Sequence, residues 1–158
     1  MTKIKDAAAD FLACKRVAVT GVSRRPREHA GNAVYVRLRE RGYDVFAVNP
    51  NAGEVEGDRC YPDLRSIPGG VDAVVIGTRP ELAEQTMREC DELGIDHVWM
   101  HRGPGRGSVS ATATEFGRQH GIAVIDGGCP CMFGPTADLG HKVARILFTA
   151  GGNIPREV

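Results

Sequence analysis

The stretch Arg16-Val17-Ala18-Val19-Thr20-Gly21-Val22-Ser23-Arg24-Arg25-Pro26 decides the fold. Its first five residues form a compact β-branched run, the pattern of a strand covered on both faces. The run stops at Gly21, where backbone can turn or approach another group closely. Residues 30–41 then place Ala30, Val34 and Leu38 at four-residue spacing, and Gly42 closes them as a C-cap. Strand, glycine loop, amphipathic helix: this is the opening of a parallel α/β unit.

The same rhythm repeats outward from it. Upstream, residues 2–13 read as a short helix with Ile4, Ala8, Phe11 and Leu12 on one face. Downstream, 44–48 is a second strand ended by Asn49-Pro50, followed by a polar, Gly-rich connection with a helical turn near 62–66. A third strand is expected within 71–77. Pro80 suits the first turn of a helix, and Leu82, Ala83, Met87 and Cys90 continue its stripe up to Gly94. Residues 97–101 form strand four. A loop over 102–107 leads to a helix, capped by Ser108 or Ser110, that runs through His120. Residues 122–125 are strand five, ended by Gly127-Gly128-Cys129-Pro130. A last helix over 136–149 carries Leu139, Val143, Ile146 and Leu147, and 151–158 reads as a tail. The expectation is a single α/β domain over 1–158. Its Rossmann-like, doubly wound parallel sheet has about five strands in the order 3-2-1-4-5, with helices on both faces.

Composition narrows the function classes. Twenty Lys and Arg balance 20 Asp and Glu, so the charge surplus of a general nucleic-acid binder is missing. No apolar run reaches the 18 or so residues of a membrane span, and residues 1–7 lack the apolar core of a signal peptide. A cytoplasmic protein is expected. Five scattered cysteines, with Cys129 and Cys131 as the one close pair, suit free thiols better than a disulfide scaffold or zinc ribbon. His97, His120 and His141 show no ligand spacing, and no metal site is expected. Cys14, Cys90 and Trp99 read as packing residues.

In a doubly wound sheet ligands bind beyond the carboxyl ends of the strands, at the point where strand order reverses. The first such loop carries Gly21, Val22, Ser23 and three cations, Arg24, Arg25 and Arg27, against one anion, Glu28. A strand-to-helix turn of that composition suits a phosphate, with Ser23 offering both a hydroxyl and an N–H. It suits a nicotinamide dinucleotide poorly. Ser23 and Pro26 stand where the second and third glycines of G-x-G-x-x-G belong, and Val48-Asn49-Pro50 lacks the acid that holds a ribose 2′-hydroxyl. Pro50 biases Asn49 toward extended backbone, which would present residues 48–49 to a purine edge. His101 and Arg102 end strand four beside Cys129 and Cys131 at the end of strand five. A thiol near such groups is either a nucleophile or a small packed hydrophobe.

Five separated segments, VAVTGVSRRP, VFAVNPN, VDAVVIGTRPE, LGIDHVWMHRG and GGCPCMF, resemble the stand-alone CoA-binding domain proteins. EGDRCYPDL agrees as well. These proteins are similar to the N-terminal CoA-binding domain of the succinyl-CoA synthetase α-subunit. The resemblance runs over about residues 15–135 and implies a coenzyme A site. It implies that Gly21, Val22, Ser23 and Arg24 cradle the CoA phosphates and that Val48, Asn49 and Pro50 lie along adenine and ribose. It further implies that Thr78 and Arg79 flank the nucleotide, that the pantetheine arm runs by Met100, His101 and Gly103, and that Cys129 is the cysteine of a C-P-x-M-F motif. The phosphorylated histidine of the synthetase lies in a domain this sequence lacks, so ligase chemistry has no machinery here. The expected function is binding of CoA or an acyl-CoA, non-catalytic or regulatory, with room for a protein partner or a homo-oligomer. Thiol-redox or acyl transfer through Cys129 is the enzymatic alternative, and a nicotinamide-dependent oxidoreductase is a weaker one.

Overall fold

Strand β1 (Arg16–Thr20) lies near the middle of the sheet because four of its five residues are buried. The computed structural model describes residues 1–25, 29–134 and 137–158, so expectations on Pro26, Arg27, Glu28 and the first residue of the 136–149 helix lie outside them. Helix α1 (Ile4–Ala13) precedes β1, and α2 (Ala30–Glu40) leads to β2 (Asp44–Val48). A hairpin of β3 (Glu54–Val55) and β4 (Asp58–Tyr61) follows, then β5 (Ala73–Ile76) and α3 (Pro80–Glu92). The chain continues through β6 (His97–Met100), α4 (Ala111–Gln119), β7 (Ala123–Asp126), a 3₁₀ turn (Pro130–Met132) and α5 (Leu139–Ala150).

The α/β class and the two-sided helical cover are as expected; the strand order and number are not. The sheet has seven strands in the order β3-β4-β2-β1-β5-β6-β7. The strand over 73–76 pairs directly with β1 (Ala18 opposite Val74), instead of lying outside the strand over 44–48. The reason is the hairpin in the polar connection. Its β4 pairs in parallel with β2, Ala47 opposite Cys60, and fills the edge that β5 was expected to take. Glu56 (φ 49°) and Gly57 (φ 82°) form its two-residue left-handed turn. Asn32 and Arg39 hold Glu56 there, the first on its carboxylate at 2.8 Å and the second on its carbonyl at 2.8 Å. The reversal point therefore falls between β1 and β5.

Both sheet faces are covered. On one, Phe11 and Leu12 of α1 and Val34, Tyr35 and Leu38 of α2 pack over Val17, Val19, Val75, Trp99 and Ile125. On the other, Ala83, Met87 and Cys90 of α3 and Ala113 of α4 cover Ala18, Val74, Ile76, Val98 and Met100. The segment expected as a tail is packed instead. Ile154 is buried in the first cluster, and residues 2 and 158 exchange backbone hydrogen bonds of 3.1 and 2.9 Å. Helix α5 turns Ala144 and Phe148 inward, while Leu139, Val143, Ile146 and Leu147 face outward. No described helix is long and apolar enough to cross a membrane.

Candidate functional site

Three glycines build the crevice between β1 and β5. Gly21 has φ +73°, and a Cβ there would stand 2.5 Å from the carbonyl carbon and oxygen of Gly77. A Cβ on Gly77 would meet the Thr20 carbonyl oxygen at 2.5 Å, and one on Gly31 would meet that of Gly21 at 2.9 Å. The end of β1, the start of α2 and the end of β5 thus pack backbone against backbone. The Thr20 hydroxyl reinforces the contact by accepting the Gly77 N–H at 3.2 Å.

Side-chain amides then brace the loops. Asn32, buried in α2, accepts the Ser23 N–H at 2.8 Å, and its amide donates to the Ser23 carbonyl at 3.0 Å. The Ser23 N–H expected to face an anion is therefore held by Asn32, which is a correction. The Ser23 hydroxyl accepts the Arg25 N–H at 3.1 Å. Asn49 donates to the Val22 carbonyl at 2.9 Å and accepts the Asn51 N–H at 2.8 Å. Its carboxamide thus ties the second loop to the first. Its main chain is also taken, donating to the Tyr61 carbonyl at 2.9 Å and accepting the Ala52 N–H at 3.3 Å, so the backbone expected to face a base is already paired.

Between these loops and α3 lies a groove of about 600 Å³. Gly21, Val22, Ser23 and Gly77 form its base, Val48, Asn49 and Pro50 one wall, and Thr78 and Arg79 the opposite wall. Pro62, Leu64, Leu82, Gln85 and Thr86 complete the lining, and sequence reasoning assigned none of these to a site. Arg79 brings a cation and His29 an imidazole, while Arg24 stands exposed on the first loop and is not part of the lining. Of the two acids in the lining, Asp63 accepts from Ser66 and Glu89 accepts the Arg65 N–H. The Thr78 hydroxyl oxygen is buried and has no hydrogen-bond partner among the described residues.

The remaining expected residues sit elsewhere. Met100 is sealed in the core and offers no surface. His101 is 8% exposed; its N–H reaches the Ile76 carbonyl and its carbonyl accepts the Ser108 N–H at 2.7 Å. Burial lowers its pKa to about 4, so the ring is neutral near pH 7. Gly103 borders that ring, with its Cβ direction 3.7 Å from the His101 Cε1. Cys129 belongs to the core cluster beneath α1 and α2 and does not line the groove. A hydrogen bond to Cys131, and then burial, push its thiol well above the usual range. Cys131, accepting that bond, is lowered. A Cys129 thiolate favoured by His101 is therefore not what the structure holds.

Comparison with known proteins places these features. The CoA binding domain family matches residues 15–135. The α subunit of acetate–CoA ligase (ADP-forming) II from Pyrococcus furiosus is 28% identical over 151 residues, covering 91% of this chain and 32% of that subunit. The ADP-forming acetate–CoA ligase II of Archaeoglobus fulgidus is 28% identical over 124 residues, and only 18% of its length is matched. The chain therefore spans less than a third of these ligase chains. The Bacillus subtilis protein YneT is closer in size: it is 29% identical over 111 residues, covering 70% of this chain and 78% of its own. A solved structure from Pyrococcus horikoshii superposes with a TM-score of 0.72 at 27% identity, covering 82% of this chain and 92% of that one.

Proposed function

The chain belongs to the CoA binding domain family, and from that premise we propose that its groove holds coenzyme A or an acyl-CoA in a non-catalytic binding role. The observation that carries the reading is the β1–β5 crevice itself. Its base is backbone with no room for a Cβ at Gly21 or Gly77, and a buried Thr78 hydroxyl beside it has no partner among the described residues. That packing draws the strand ends together at the reversal point, where such sheets bind ligands, and the orphaned hydroxyl suits a polar ligand group.

The residues divide the ligand by chemistry. Arg79 in the lining and Arg24, exposed on the adjoining loop, supply positive charge toward phosphates, and Asn49 and Pro50 supply a wall for a base and sugar. Asn32 and Asn49 hold Val22 and Ser23 before any ligand arrives, which favours affinity. Thiol-redox or acyl transfer through Cys129 fits less well, since that thiol is buried, protonated and outside the groove lining. A nicotinamide site lacks its ribose acid at Val48-Asn49.

Calorimetry with CoA, NAD and ADP-ribose tests the reading. CoA, with its additional 3′-phosphate, should bind at least tenfold more tightly than either of the others. Equal affinity for NAD would overturn it.

A further inference from the structure

We propose that Cys129, Cys131 and His141 form a three-ligand site for a thiophilic divalent cation of the zinc class. Their two sulfurs and an imidazole nitrogen all lie within 4.8 Å of one another. Ligand atoms around tetrahedral zinc stand about 3.7 Å apart, so side-chain rotations of about 1 Å close the set. Sequence spacing hides the site, because His141 follows Cys131 by ten residues and arrives on a different element.

The fold holds each ligand from behind. Cys129 and Cys131 share one tight turn, in which the Met132 N–H donates to the Cys129 carbonyl at 2.9 Å. Asp138 caps α5 by accepting the His141 N–H at 2.8 Å, and the same carboxylate oxygen takes the His141 Nδ1 at 2.8 Å. A carboxylate accepts but cannot donate, so Nδ1 donates to Asp138, and Nε2 is the nitrogen that would ligate. A carboxylate behind a histidine is the usual support of a ligating imidazole. Arg37 anchors the other Asp138 oxygen at 2.7 Å, and Arg145 reaches the Met132 carbonyl at 3.4 Å, joining α5 to the cysteine turn.

The donor set selects the ion. Two thiolates and one imidazole suit zinc and exclude magnesium or calcium, which take oxygen ligands. Binding displaces one proton from each thiol to solvent, and the two thiolates balance the dication, so the buried pair gains no net charge. The cysteines are sealed but the His141 side chain is 38% exposed, which gives the ion an entry and leaves a fourth position for water.

The test uses the reduced full-length chain, without CoA, whose own thiol binds metal. Cobalt(II) titration should give one ion per chain, a thiolate-to-cobalt charge-transfer band, and displacement by zinc. Cys131→Ser and His141→Ala should each weaken binding at least 100-fold, and Asp138→Asn about 10- to 100-fold. Cys14→Ser should leave the titration unchanged. The half-exposed His141 can be replaced without disturbing the core, so a folding defect does not obscure the result. No charge-transfer band in the reduced wild type, or an unchanged titration in His141→Ala, overturns the proposal. Since CoA plays no part, the outcome is separate from that of the groove.

Discussion

Two corners of one sheet edge are built by opposite means. At β1–β5 the site is main chain: Gly21, Gly31 and Gly77 bring three backbones together, and Asn32 and Asn49 brace the loops. At the end of β7 it is side chain: buried Cys129 and Cys131 lie under α5, with His141 and Asp138 at its rim. The first corner is open, and Arg79 stands in its wall. The second is closed over its cysteines, opens only at His141 and Asp138, and its groups address one another. Position at the carboxyl edge is therefore not enough to join two loops into one site; the direction in which each loop exposes its groups decides.

The largest effect expected is from Gly21→Ala. It combines a left-handed φ with a Cβ 2.5 Å from main chain that has no freedom to withdraw, and should cost about 3 kcal/mol or more. Gly42→Ala is the matched control, since its φ is +82° but no atom lies within 4 Å of its Cβ. It should cost only the conformational part, about 1 kcal/mol. Urea denaturation of both separates close packing from backbone strain. Equal losses would mean that the crevice is not sealed.

The end of β6, between the two corners, makes the second prediction, through the buried His101. Its pKa of about 4 in the native state lies below that of an unfolded histidine, about 6.5. Between those values the unfolded chain binds more protons, so stability is full above pH 6.5 and falls as pH drops toward 4. The loss should be on the order of 3 kcal/mol, and His101→Gln should flatten that part of the profile. A wild-type urea midpoint constant from pH 7 to pH 4.5 would show that water reaches the ring.

Much of this division could be read from residues, and the unread part has physical causes. Strands 16–20, 44–48 and 97–100 are short apolar runs, and α1 buries the Ile4, Ala8, Phe11 and Leu12 face its spacing implies. The hairpin at 54–61 was hidden because its turn is Glu56-Gly57, whose left-handed glutamate depends on Asn32 and Arg39 from α2. Missing it displaced β5 and with it the reversal point. Loop residues 21–23, 48–50, 78 and 79 converge on one groove because strand ends in any order share an edge. Cys129 and His141 do not follow from that rule. Their neighbours are set by where α5 docks, and its outward Leu139, Val143, Ile146 and Leu147 stripe points the opposite way from a core-facing reading.

A third measurement probes the open corner's charge. Arg24→Ala should weaken CoA binding by about 1.5–3 kcal/mol, or roughly 10- to 150-fold, the range of a hydrogen bond to a charged group. Arg118→Ala removes another exposed arginine, whose partner is Asp126 at 3.3 Å near the other edge, and should change binding little. Equal affinities in the two variants would detach the first loop from phosphate recognition. The salt dependence of wild-type binding should decline in the Arg24 variant, because an exposed cation acts through a screened field.

The smallest effect is the most discriminating. Thr78→Val keeps the side-chain shape and deletes the hydroxyl that has no partner among the described residues. Without ligand, removing an unsatisfied buried oxygen should leave stability unchanged or raise it slightly, by up to about 1 kcal/mol. With CoA, the same change should weaken binding by about 0.5–1.5 kcal/mol if the hydroxyl bonds the ligand. Opposite signs in the two experiments are what a binding residue produces. A residue that only packs would move both together or neither. Urea denaturation of the free variant and calorimetry with CoA supply the two numbers. Thr114→Val sets the scale for a satisfied hydroxyl, since that oxygen already donates to the Ser110 carbonyl at 3.0 Å. It should lose about 1 kcal/mol of stability and no CoA affinity. If Thr78→Val instead binds CoA as the wild type does, the hydroxyl lies outside the contact surface and the ligand must sit farther toward the 48–50 wall.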